Sequence, residues 1–124
     1  MTPESRYSRL VDGMSRDPEV ILDREGKGFG SSGQLKVKGR IFAMLVRGEL
    51  VLKLPRARVD ELVARAEGRH FDAGKGKPMR EWFVLYPTSK RPWPPLAREA
   101  HDFVKEQRRS TRALRSSQTV SKRV

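Results

Sequence analysis

The chain contains no cysteine and only two histidines among its 124 residues. Without thiols there are no disulfides, no thiolate metal centres and no thiol nucleophile, and a reducing cytoplasm is the expected compartment. Long apolar runs are missing too. The longest wholly apolar stretch, Ile41–Val46, is far short of the roughly 20 residues that a membrane-spanning helix needs. The N-terminus, MTPESRYSRLVDG, mixes acids with bases and lacks an apolar signal core, so no export signal is expected. The length leaves room for one core but not for a protein-kinase domain or a complete dinucleotide-binding fold.

What the chain has in excess is positive charge. Lys and Arg number 27 against 15 Asp and Glu, a formal net charge of +12. From Arg108 to Val124 there are six cations and no acid, in a segment rich in Ser and Thr and poor in apolar residues. Such a composition cannot bury enough surface to offset its ordering entropy, so residues 108–124 are expected to form a disordered basic tail after a domain spanning 1–107.

Residues 1–107 read as alternating helices and strands. Thr2-Pro3-Glu4 supplies a helix N-cap, a first-turn proline and an acid, and Tyr7, Leu10, Val11 and Met14 follow at helical spacing. Asp17-Pro18 stops that helix, and Val20-Ile21-Leu22 reads as a brief strand. Residues 34–54 carry the clearest strand signal, a three-stranded antiparallel meander with hairpin turns at Lys38-Gly39 and Arg47-Gly48. A helix opened by Pro55 buries Val59, Leu62, Val63 and Ala66, with Gly68 as its expected C-cap. Residues 68–78 read as a loop. In the strand Glu81–Tyr86, Trp82, Val84 and Tyr86 face one way and Phe83 and Leu85 the other. A final helix from Pro94 or Pro95 buries Leu96, Ala100, Phe103 and Val104. The sum is an α+β domain in which an antiparallel meander sheet carries an N-terminal, a middle and a C-terminal helix, in the order α-β-βββ-α-β-α.

Gly28-Phe29-Gly30-Ser31-Ser32-Gly33 is a literal G-x-G-x-x-G. A dinucleotide site needs that motif to open a helix, whose N-terminus holds the pyrophosphate, whereas here it opens a strand. Gly28, Gly30 and Gly33 are therefore read as a structural turn. His70 and His101 lack the convergent partners that a metal needs and read as surface residues. Neither Ser31 nor Ser32 has an assignable base, and Asp60 and Glu61, adjacent on a helix, do not face each other. No catalytic residue, cofactor or metal site is expected.

The glycine run followed by Leu35-Lys36-Val37, Gly39–Ala43, Leu50–Pro55, Val59–Leu62, Gly76-Lys77-Pro78-Met79 and Arg80-Glu81-Trp82 resembles the TfoX/Sxy N-terminal-domain family over roughly residues 5–107. The resemblance implies a compact α+β fold and a non-enzymatic, transcription-associated role. Founding members regulate bacterial competence genes alongside a cyclic-AMP-dependent transcription factor. They carry a second, helical domain C-terminal to this one, and here the basic segment stands in its place. The family brings no catalytic or ligand residues to transfer.

Independently, the cations suggest nucleic acid. Lys36, Lys38 and Arg40 cluster at the first hairpin, with Lys36 and Lys38 on one strand face. Lys75, Lys77, Arg80, Lys90 and Arg91 lie in or beside loops, and Arg108, Arg109, Arg112 and Arg115 lie in the tail. Cations neutralise phosphates, and Trp93 would offer a stacking ring if exposed, although a tryptophan more often packs in the core. The competing expectation is a protein-interaction domain, a homodimer through a sheet edge or a partner of a transcription factor, with no direct DNA contact.

Overall fold

The structure, a computed structural model, describes residues 2–23, 33–71 and 79–121, with backbone alone for Met79 and residues 108–121. Helix α1 (Pro3–Met14) starts as its sequence dictates. Thr2 is extended and its Oγ1 accepts the Ser5 N–H at 3.0 Å, while Pro3 occupies the first turn, where a missing N–H costs nothing. Tyr7, Leu10, Val11 and Met14 form its buried face.

Strands β1 (Val20–Asp23), β2 (Gln34–Val37), β3 (Arg40–Val46), β4 (Glu49–Lys53), β5 (Gly68–Phe71) and β6 (Met79–Leu85) make one antiparallel sheet in the order β1-β2-β3-β4-β6-β5. The meander and both hairpins lie where the sequence puts them. Lys38-Gly39 has φ of 54° and 78°, and Arg47-Gly48 has 52° and 80°. Two successive residues at positive φ match the twist of the flanking strands, and glycine takes the second position without strain. Where β2 meets β3 the register slips by one, and Phe42 is the extra residue. The slip lets Phe42 and Ala43, neighbours in sequence, both enter the main core.

Helices α2 (Arg56–Ala64) and α3 (Trp93–Ser121) join α1 on one face of the sheet. Val59 and Leu62 of α2, and Trp93, Leu96, Ala97, Ala100 and Val104 of α3, pack on Leu35, Val37, Leu45, Leu50, Leu52, Phe83 and Leu85. Arg58 on α2 ties the two helices through Glu99, donating to both carboxylate oxygens at 2.9 and 3.2 Å. The opposite face has a smaller apolar cluster of Met44, Val51, Phe71 and Val84, with Trp82 and Val46 against it. The expected alternation of β6 is thus realised.

Two expectations are corrected. Residues 68–71 are strand β5 rather than loop, and Gly68 belongs to it. A Cβ at Gly68 would lie 2.0 Å from the Val84 carbonyl oxygen and 2.4 Å from the Phe83 ring, so glycine is there for close approach and not as a cap. Helix α2 instead closes on Ala66, at φ 60°. The Glu67 N–H reaches the Leu62 carbonyl and the Ala66 N–H reaches the Val63 carbonyl, both at 3.0 Å, a Schellman arrangement with alanine where glycine is usual.

Beyond Gln107 the backbone of α3 stays helical to Ser121, through the segment whose composition predicts a disordered tail. Gly33, at φ 94°, ends the glycine stretch and accepts the buried Tyr7 hydroxyl at 2.9 Å. Gly28, Gly30, Lys75 and Lys77 lie outside the described residues. Among the described residues no helix is long and apolar enough to cross a membrane.

Candidate nucleic-acid interface

The strands have two ends. One carries the β3–β4 turn, the start of β5 and the start of α3. The other carries the β2–β3 turn, the end of β4 and the start of β6. Helix α3 runs from the first end to the second. Trp93 lies under the Arg6 guanidinium at 4.3 Å, while Lys105 donates to Glu19, the residue before β1, at 2.7 Å. Glu19 also pairs with Lys38 in the β2–β3 turn at 3.5 Å.

The expected site residues divide by partner and by position. Lys36 donates to Asp23 across β1–β2 at 2.7 Å. Lys38 belongs to the turn and pairs with Glu19, so it shares no strand face with Lys36. Arg91 donates to Glu67 at 2.8 Å at the far end, with Ser89 donating to the same carboxylate at 2.9 Å, and Lys90 is exposed beside it. Arg40 and Arg80 are exposed at the β2–β3 end. Arg108, Arg109, Arg112 and Arg115 fall on the part of α3 that continues beyond Lys105.

Two cations that the sequence did not single out complete the β2–β3 end. Lys53 stands opposite Trp82 in the β4–β6 ladder, with Nζ 5.7 Å from the ring centre. Burial, and after it the charge of nearby Arg40, push the Lys53 ammonium below the ordinary lysine range, with Glu81 opposing. Arg56 opens α2 three residues on, and Arg80 lies two residues before Trp82 on β6. Arg40, Arg56 and Arg80 hold no ion pair among the described residues. Chain spacing reveals neither fact, because both depend on β4 pairing with β6 across an intervening helix and strand.

The aromatic rings are occupied. Trp93 is 6% exposed beneath Arg6, which also donates to the Arg91 carbonyl at 3.2 Å, so its ring is no stacking platform. Trp82 packs against Phe71 and beneath Lys53, and Tyr86 lies under Arg69 at 5.9 Å. Ile21 is the one large apolar side chain exposed among the described residues.

The surface reading of His101 is overturned. Its ring is buried edge-on to Phe42, with Nδ1 2.9 Å from Asp102 and Nε2 3.3 Å from Asp17. Asp17 is held below the usual carboxylate range chiefly by the Glu19 N–H, with His101, Lys105 and Arg98 adding to it against the opposing effect of burial. His70 is half-buried, 3.4 Å from Asp60. Among the described residues no three His, Cys, Asp or Glu side chains converge. Comparison with family models, curated proteins and solved structures returned no match.

Proposed function

We propose that the protein is a non-catalytic binding module that contacts nucleic acid electrostatically from the β2–β3 end of its sheet. One observation carries this reading: Arg40, Lys53, Arg56 and Arg80 gather at the end from which the acid-free part of α3 leaves. Arg40, Arg56 and Arg80, which hold no ion pair among the described residues, gain by displacing condensed counterions from phosphates, and that term is indifferent to sequence. A cytoplasmic location and a regulatory role beside a transcription factor, as the TfoX/Sxy resemblance implies, belong to the same reading.

The test is anisotropy of labelled nucleic acid against the whole chain at several salt concentrations. Binding should weaken linearly in log–log form, and Arg112→Glu with Arg115→Glu should flatten the slope by about two units. No binding near 50 mM salt sinks the reading. The second reading then leads, a homodimer without DNA contact. What favours it is β1, an edge strand that leaves Ile21 60% exposed, a suitable seam for a second copy. Sedimentation of wild type against Ile21→Lys would decide it.

A further inference from the structure

We infer that the ligand is duplex DNA, with the basic part of α3 lying in its major groove and the Arg40, Arg56 and Arg80 end resting on the flanking backbone. This rests on the nucleic-acid reading above and narrows it to one class. Three observations carry it.

The first is the lack of a stacking surface. Single strands are gripped by aromatic rings as well as by charge. Among the described residues no ring is fully exposed: Trp93 is buried beneath Arg6, while Trp82, Tyr86 and Phe103 are half-buried, Trp82 beside Lys53 and Phe71 and Tyr86 beside Arg69. Exposed cations without a fully exposed ring, among the described residues, suit backbones and grooves better than unstacked bases.

The second is shape. Lys105 is anchored level with the β2–β3 turn, and the helix continues from Arg108 to Ser121 past that point. At 1.5 Å per residue this is an arm about 21 Å long, with a diameter of roughly 10–12 Å that matches the B-DNA major groove at about 12 Å. The deep, narrow major groove of an RNA duplex does not admit a helix.

The third is the pattern along the arm. Positions 108, 112 and 115 recur at intervals of four and three, one stripe of the helix, in line with Val104 and Ala97. Over the sheet that stripe is buried, with His101 between Ala97 and Val104. Once past the sheet the same stripe carries Arg108, Arg112 and Arg115, with Thr111 among them. No acid follows Glu106, so nothing on the arm repels a phosphate.

The experiment compares a labelled 20-base-pair DNA duplex, its single strand and the matching RNA duplex, each titrated with the full chain at one fixed salt concentration. DNA duplex is expected to bind at least tenfold tighter than either competitor. Equal or tighter binding of single strand or RNA overturns the inference while leaving the electrostatic reading intact. Loss of all three defeats that reading itself. Ala113→Pro separates groove insertion from a charged tether, because it keeps every arginine and breaks the helix. A fall of tenfold or more on the DNA duplex, with single-strand binding unchanged, is the result expected. An unchanged duplex affinity overturns insertion. Circular dichroism and the unfolding midpoint of the variant show that residues 1–107 remain folded.

Discussion

Where β5 begins, Arg69 and Arg91 are held by carboxylates and Arg6 by a ring and a carbonyl. Arg69 donates to both oxygens of Glu49 at 2.9 and 2.8 Å, Arg91 is held by Glu67, and Arg6 by Trp93 and the Arg91 carbonyl. At the other end Arg40, Arg56 and Arg80 stand exposed, and Lys53 is pressed between burial and the Arg40 charge. The first end uses its cations to close the fold around the starts of β5 and α3. The second spends Lys38 and Lys105 on Glu19 but leaves Arg40, Arg56 and Arg80 without ion pairs among the described residues, an arrangement whose self-repulsion a polyanion would relieve. Exposed Arg47 and Lys90 qualify the contrast, since each is a single cation at the closed end. Net charge therefore says less about binding than the partners each cation has already found.

The contrast breaks most severely at Gly68. Gly68→Ala would force β5 off β6, because a Cβ at 2.0 Å from the Val84 carbonyl has no room to adjust. The expected loss is about 3 kcal/mol or more by denaturant unfolding, with the Glu67 and Arg69 contacts beside it disturbed. An unchanged midpoint would show that the closed end tolerates a wider strand separation.

Acid should weaken the closed end. The Arg69 hydrogen bonds hold the Glu49 carboxyl below the usual carboxylate range, and those from Ser89 and Arg91 do the same for Glu67. A depressed carboxylate contributes stability that is present above its unfolded value near 4.3 and is lost as pH falls through the folded one. Melting temperature should therefore drop below about pH 4.3, and Glu49→Gln should blunt that drop. A parallel decline in wild type and variant would remove Glu49 from the account.

Ala66→Gly sharpens the comparison from the stabilising side. Relieving alanine at φ 60° in the α2 cap should add roughly 0.5–1 kcal/mol, less what glycine loses in unfolded-chain entropy. Smallest of all, Arg40→Ala and Arg80→Ala should leave the unfolding midpoint unchanged, since neither side chain holds an ion pair among the described residues. Each should lower the salt slope of DNA binding by about 0.9. A stability loss at either position would mean that these cations serve the fold.

Local patterns were legible where a residue's role depends on its neighbours in sequence. The Thr2 cap, both glycine hairpins and the alternation of β6 follow from such patterns. Strand β5 was not legible, because Gly68-Arg69-His70-Phe71 is short and polar and its glycine is demanded by β6, not by the chain around it. Ala66 hid the true helix end by standing where glycine is expected. His101 looked solvated because Asp17 and Phe42, which enclose it, are remote in sequence. The interface followed the same rule. Counting arginines located the charge, but which cations were spoken for depended on partners such as Glu19, which meets Lys105 across 86 positions.

Glu19 also sets an aim. One carboxylate holds the β2–β3 turn through Lys38 and helix α3 through Lys105, only three residues before the arm begins. A rod about 21 Å long, clamped at its root, magnifies any rotation there. A tilt of about 5° would carry its tip roughly 2 Å sideways over that length. The bearing of the whole lever is thus governed by a surface acid whose grip, through Lys105, lies before the first arginine of the arm.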